Sequence, residues 1–388
     1  MPTLRVFAGS LLGLALWLLA AAASAAPRIG VMTMQPGEIF FELFGHNAIV
    51  VDDPAAASPV SYNFGFFDLA EPGFIGRFVD GTMEYQLVAL PLEEDLAYYR
   101  RVGRGVSIQW LALSDEQATS LAASLADNAK PEHARYRYDY FTDNCSTRVR
   151  DALDRTLGGK LRRELGGRSQ GNTYRQEAVR LASPAWWMWL GFDIGMGPWT
   201  DQPLSRWENA FVPMRLADSL RNLRIAEGQP LVTAEVMLLP HRIAPEPAEA
   251  PRRWWPWLLA GLALAFAVRW AMARRPRALG AVALPVWTLL GLLGLLMAFL
   301  WCCTAHRGAW ANHNLLLFSP LCLLLVPGAW ALLRGRDTSR FHRGVRIAVA
   351  AGAILALALQ LLPATQAQAP WLALLVPIHL AFALPRRR

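Results

Sequence analysis

The chain has 388 residues, 54% of them hydrophobic, and a formal charge of +8. That is too apolar for one soluble domain, and the length allows two or three domains. The charge does not describe a nucleic-acid binder, because eleven arginines fall in three short segments beside apolar stretches, at 274–277, 334–346 and 386–388, where they read as topology signals instead of a phosphate-binding face.

Residues 1–25 have the form of an export signal. Arg5 gives the positive start, Val6 to Ala20 the apolar run, and Ala23-Ser24-Ala25 a small-residue cleavage site that, if cut, makes Ala26 the first mature residue, the alternative being an uncleaved anchor helix; either way the following segment is exported. No cysteine lies near that site, so the segment does not mark the protein itself for lipidation. Behind it, "HNAIVV", "VSYNFGFF" and "MEYQLVAL" are expected strands, the first two forming a hairpin around the loop "DDPAAASP". "LEEDLAYYRRV" is an expected helix and "VSIQWLAL" a strand. "SDEQATSLAASLADN" is a helix with a capping box, Ser114 at the N-cap and Gln117 at the third helical position. The domain over 26–243 is therefore α+β with an antiparallel sheet.

Next comes "YFTDNCSTRVRD", with the only cysteine before the apolar tail. Asp143 or Asn144 can cap a helix starting near Cys145. Val149, Leu153 and Leu157 recur at i, i+4 and i+8 as its buried stripe, and Gly158-Gly159 ends it. Cys145 thus falls in a first turn, where free N–H groups and the helix dipole favour the nucleophilic thiolate. Thiolate chemistry also calls for a base. Of the domain's histidines, His241 adjoins the linker and His133 reads as a surface residue, whereas His46 opens a strand after Phe44-Gly45. A strand-borne histidine facing the start of a cysteine helix is the papain-type arrangement, here in reversed chain order, as in a circular permutation. Asn63 on the next strand is the expected orienting residue for His46. The bland alternatives are an inert core cysteine, a structural histidine and an asparagine satisfying a buried turn. The stretch "PAWWMWLGFDIGMGPW", at 184–199, is too interrupted by Asp193 and glycines to span a bilayer. It reads either as a membrane-facing, acyl-lining flap or as plain core.

Residues 244–253, "APEPAEAPRR", form a proline-rich linker too polar to pack. Over 254–388, five apolar segments follow at Trp257–Met272, Leu279–Trp301, Leu315–Leu333, Ile347–Leu362 and Trp371–Ala383. They are expected to form an all-α membrane domain of five transmembrane helices. The arginine-rich loops and C-terminus belong inside and the arginine-poor loops outside. Trp254, Trp255 and Trp257 anchor the outer edge of the first span. The expected location is a bacterial inner membrane, with the preceding domain in the periplasm and the C-terminus in the cytoplasm. Cys302, Cys303 and Cys322 are expected to pack between helices. The outer loop "HRGAWANHN" holds His306 and Asn314, read either as headgroup or acceptor contacts or as simple capping of the span ends. No metal site and no cofactor are expected.

"FGHNAIVV", "YNFGFFD", "YDYFTDNCSTRVRD" and "PLSRWENAFVPMRL", in that order over most of residues 30–220, resemble the Lnb N-terminal periplasmic domain family. "NHNLLLFSPL" is similar to a segment in the membrane halves of longer members. The resemblance implies a permuted papain-like (NlpC/P60-like) fold. It also implies kinship with the lecithin:retinol acyltransferase group, whose "NCEHF" motif is echoed by "NCSTR". Those relatives hold an acyl chain from a phospholipid as a cysteine thioester, and Lnb is associated with lipoprotein N-acylation. Carried over, the nucleophile is Cys145 and the base His46. The second histidine of the retinol-type enzymes has no counterpart, and Asn63 stands instead. Asp143 and Asn144, beside the nucleophile, are expected to touch substrate together with His306 and Asn314. The expected activity is acyl transfer from a phospholipid to a lipoprotein N-terminus at the bilayer. The rival readings are a periplasmic cysteine peptidase or amidase acting on peptidoglycan, a non-catalytic membrane scaffold and, most weakly, transport.

Overall fold

One antiparallel sheet organises the first half of the chain in the computed structural model, which describes residues 26–225, 228–363 and 365–385. The export signal, its cleavage site and the last three arginines lie outside the described residues. The strands are β1 (Arg28–Met34), β2 (His46–Asp52), β3 (Val60–Phe66), β4 (Glu84–Pro91), β5 (Val106–Leu111), β6 (Arg135–Arg137) and β7 (Val232–Leu239). Their order across the sheet is β6-β4-β3-β2-β1-β5-β7, and every neighbouring pair is antiparallel. The expected hairpin is β2–β3. β1, β6 and β7 had no counterpart in the sequence reading. In β1 every residue after Arg28 is buried, so the alternation that marks a half-exposed strand is missing.

The helices are α1 (Phe74–Asp80), α2 (Leu92–Val102), α3 (Asp115–Asn128), α4 (Cys145–Thr156), α5 (Lys160–Gly166), α6 (Tyr174–Ala182), α7 (Trp186–Gly195), α8 (Arg206–Asn209) and α9 (Pro213–Arg221). α3 carries the expected Ser114–Gln117 capping box. The sheet is covered on both faces, which is why its central strands are buried throughout. On one face, Leu96 and Tyr99 of α2 pack on Met32, Met34, Ala48 and Val50. On the other, Leu121 and Leu125 of α3, Val149 and Leu153 of α4, and Leu216 and Leu220 of α9 pack on Val31, Ile49 and Phe64. Truncating a side chain such as Leu153 to alanine costs about 2–5 kcal/mol at a fully buried position.

The linker departs from its expected freedom. Its proline-rich backbone forms no helix or strand, yet Arg180 pairs with Glu246 and Arg215 with Glu249. The linker carboxylates find arginines on α6 and α9, so its polarity holds it down instead of keeping it off.

The membrane half begins with α10 (Trp255–Arg274) and α11 (Pro276–Cys303). A third apolar rod, His313–Leu333, is assembled from 3-10 turns and α12 (Val326–Leu333). Next come α13 (Arg340–Ala358), which continues as a turn to Leu361, and α14 (Ala369–Ala383). Four of these elements, starting at residues 255, 276, 313 and 340, are long and apolar enough to cross a membrane. α14 has 15 residues, about 22 Å at 1.5 Å per residue, against a hydrocarbon core of ~30 Å. Only Cys322 among the tail cysteines packs inside. Cys302 and Cys303 are exposed at the end of α11, contrary to the packing role expected of them.

The two halves meet along a polar seam. The Asn312 and Asn314 side-chain amides both donate to the Ile194 carbonyl, at 2.8 and 2.9 Å. The Trp371 indole N–H donates to Asp193 at 2.9 Å, and Arg252 pairs with the same carboxylate. Beneath them Arg175, fully buried, grips Asp201 at 2.7 and 2.9 Å and the carbonyls of Asp193 and Met196.

Candidate functional site

The site forms where the two layers covering the sheet meet at one end of β2 and β3. α4 begins as expected. Asn144 is its N-cap, with a reciprocal capping box in which Asn144 Oδ1 accepts from the Thr147 N–H at 2.9 Å and Thr147 Oγ1 accepts from the Asn144 N–H at 2.7 Å. Asn144 Nδ2 donates to the carbonyls of Tyr140 and Phe211, both at 2.9 Å. All its polar atoms are therefore engaged inside the protein. Asp143 is held by Arg148 through two hydrogen bonds. The structure gives both residues the job of building the start of α4, with no atom of Asn144 left over for a ligand.

Cys145 follows the cap and is half-buried. Gly45, at φ 73°, turns the chain into β2; a Cβ there would fall 2.7 Å from the Met214 sulfur. That turn delivers His46 to the thiol, and the two side chains are hydrogen-bonded. His46 Nε2 lies 3.0 Å from Asn63 Oδ1, so Nδ1 is the ring nitrogen left to face the sulfur. The sequence-predicted trio is thus one connected group.

A fourth member had not been read from the sequence. Asn63 Nδ2 donates to Asp95 Oδ2 at 2.9 Å and to Ser61 Oγ at 3.2 Å, and Ser61 donates to the same carboxylate at 2.7 Å. Asp95 is buried on α2. Its signal was available: Leu92, Leu96 and Tyr99 form the apolar stripe of α2, and Asp95 stands on it at i+3.

Electrostatics follow from this wiring. Burial pushes the Cys145 thiol up, but the His46 charge and hydrogen bond, with the N–H groups of Asn47 and Ser146 aimed at the sulfur, bring it net below the ordinary thiol range. Burial pulls His46 down, and the sulfur's charge and hydrogen bond, with the Asp95 charge behind, outweigh it and raise the imidazole above its usual value. Both shifts favour a thiolate–imidazolium pair.

A glycine stands beside the thiol. β3 is irregular between Asn63 and Phe66. Gly65 sits there at φ 92°, and a Cβ on it would come within 3.5 Å of the Cys145 Cβ. Tyr136, its ring under the Arg148 guanidinium at 3.9 Å, has a buried hydroxyl with no partner among the described residues.

The remaining expected positions lie elsewhere. His306 Nε2 is 3.0 Å from the Phe78 carbonyl, and its ring stacks on Tyr140. Asn314 is fully buried in the seam. The alternative histidines behave as bland ones: His133 pairs with Asp127 at the surface, and His241 accepts from the Gly105 N–H. No group of three or more His, Cys, Asp or Glu side chains among the described residues is placed to hold a metal ion.

Comparison with known families agrees with this division into halves. The Lnb N-terminal periplasmic domain matches residues 15–177, which include His46, Asn63, Asp95 and Cys145, and the Lnb transmembrane domain matches residues 251–385. The chain belongs to the Lnb family. It is a membrane protein with a periplasmic α+β domain and a helical transmembrane domain. The Lnb matches leave 178–250 uncovered, so α7, α8, α9 and β7 lie between them, as does the motif "PLSRWENAFVPMRL". No curated protein and no solved structure matches the chain.

Proposed function

We propose that this Lnb-family protein is a thiol acyltransferase of permuted papain-like design. It would move a fatty acyl chain from a phospholipid, through a Cys145 thioester, to the N-terminal amine of a bacterial lipoprotein. The observation that carries the reading is the hydrogen-bonded Cys145–His46 pair, backed by Asn63 and Asp95, in a domain clamped onto membrane helices.

In the first half-reaction the Cys145 sulfur attacks the ester carbonyl and forms the C–S bond. The tetrahedral oxyanion collapses, the ester C–O bond breaks, and the lysophospholipid oxygen takes the proton held at His46 Nδ1. In the second half the neutral acceptor amine attacks the thioester carbonyl. His46 takes an amine proton, the C–S bond breaks, and an amide and the thiolate result. The Asn47 and Ser146 N–H groups hold the sulfur. The N–H of Cys145, at the first helical position, is the donor nearest to a developing oxyanion. Asn63 and Asp95 orient the imidazole and favour its protonated form.

The same reading takes α14 as the fifth crossing. Trp371 near its start lies 5.4 Å from Trp257 near the start of α10. At the other end the Arg269 guanidinium near the end of α10 donates to the carbonyls of Leu384 and Pro385 just past α14. The two helices run side by side in the same direction over the same depth. That supports the arginine-rich ends lying in the cytoplasm of a bacterial inner-membrane protein.

The test is intact mass of the detergent-purified protein after incubation with a defined phospholipid, comparing wild type with Cys145→Ala. A hydroxylamine-labile acyl adduct on wild type alone is expected. An adduct on both proteins rules out the Cys145 thioester. Release of peptide from peptidoglycan fragments, with no adduct from any lipid, would replace the reading by the peptidase.

A further inference from the structure

Outside the catalytic group, the exported domain shows one concentration of exposed apolar side chains. Of its thirteen exposed large hydrophobics among the described residues, all but Tyr140, Val236 and Met237 fall on three segments: the loop at 38–44, the stretch from Phe66 through α1, and the start of α7. A chain of ring contacts joins the three. Trp187 meets Phe40 at 6.4 Å, Phe41 meets Phe67 at 5.4 Å, and Phe67 stacks on Phe74 at 5.6 Å. A contiguous exposed patch of this kind on a folded domain calls for a partner.

Its position indicates which one. The loop at 38–44 ends two residues before His46, and the second segment starts just after Gly65, which lies against Cys145, so two of the three segments flank the thiol group along the chain. Two of the three segments are also tied to the outer ends of the membrane rods. The Ala305 N–H donates to the Asp80 carbonyl at 2.7 Å, just beyond α11, and the Asn312 and Asn314 amides hold the Ile194 carbonyl of α7. Trp254 and Trp255, exposed at the start of α10, mark the same level. The loop at 38–44 is fixed from behind by the buried pair Glu42–Arg104, 3.1 Å apart, so Phe40 and Phe41 are presented outward by a rigid turn. Two of the three segments of the patch are therefore anchored to the membrane half.

We propose that this aromatic rim inserts into the outer leaflet of the bilayer and brings phospholipid acyl chains to the mouth of the thiol site. The inference deepens the acyltransferase reading by fixing how its donor arrives, and rests on it for that purpose only. Insertion itself does not require turnover.

The experiment reconstitutes the full chain in nanodiscs containing a phospholipid with a diazirine near the end of one acyl chain, irradiates it and maps adducts by peptide mass spectrometry. Adducts are expected on peptides from 38–44, 66–79 and 186–192 as well as on the spans, and not on the exposed β7 residue Met237. Adducts confined to the spans overturn the proposal. A Phe40→Ser/Trp187→Ser variant is expected to lose at least five-fold in rim labelling. It should also lose about ten-fold in acyl transfer from bilayer lipid while keeping its rate of acylation by a soluble short-chain p-nitrophenyl ester. An equal fall in both rates overturns the proposal, since it indicates damage to the site and not to delivery. Rim labelling without any Cys145 adduct would leave the insertion standing and remove the acyltransferase reading. Adduct formation without rim labelling would do the reverse.

Discussion

Two places in this molecule each hold a histidine and an asparagine, and they are built in opposite ways. At the end of β2 and β3, His46 and Asn63 contact each other and lead from a thiol to a buried carboxylate. In the loop after α11, His306 and Asn314 each bond to a different backbone carbonyl of the exported domain. Residue types are shared, but the partners differ. Side chains wired to one another can shift and pass a proton, whereas side chains bonded to main-chain carbonyls fix two segments in place.

The sharpest way to break the comparison is at the sulfur. Cys145→Ala or His46→Ala should lower the rate of acyl transfer about 10⁴-fold or more, as loss of a nucleophile or its base does elsewhere. The double variant should be hardly worse, because the pair acts as a unit. Single-turnover thioester formation measures both. Asn63→Ala should cost roughly 10²–10⁴-fold, since a misoriented base forfeits its share of proton transfer, and would show in kcat more than in KM.

Asp95→Asn tests the far end of the wire through pH. The rate should rise as Cys145 ionises, below the ordinary thiol range, and fall as His46 loses its proton, above the ordinary imidazole range. The Asp95 charge raises His46, so removing it lowers that pKa and moves the alkaline limb to lower pH. A pH–rate profile with an unmoved alkaline limb would remove Asp95 from the site.

Smallest in catalysis are the seam variants. Asn314→Ala deletes a buried donor to the Ile194 carbonyl and should cost about 1–3 kcal/mol of stability, read as thermal melting in detergent, with the rate per folded molecule unchanged. His306→Ala, in a more exposed contact, should cost under about 1 kcal/mol. A seam variant that lost transfer without losing stability would overturn the distinction between the two places.

Much of the first place is legible in the sequence. A cap at Asp143 or Asn144, the α4 stripe and a histidine opening a strand are local patterns, and local patterns survive folding. Asp95 was hidden because charges in a first helical turn are ordinary; only its coincidence with the apolar stripe sets it apart. β1 was hidden by being buried on both faces. The seam was hidden for a different reason. Asn312 and Asn314 answer Ile194, more than a hundred residues away, and no periodicity announces so distant a carbonyl.

The strand order has a consequence for how such a protein is made. β1, nearest the N-terminus of the seven, lies between β2 and β5, while β7, the last, occupies the outer edge and ends at Leu239, just ahead of α10 at Trp255. A chain delivered across the membrane from its N-terminus therefore lays down the middle of its sheet first. It can complete the edge only as the first hydrophobic helix arrives at the translocation machinery. Closure of the sheet and lateral release of that helix fall within the same short interval of synthesis, so each can pull on the other.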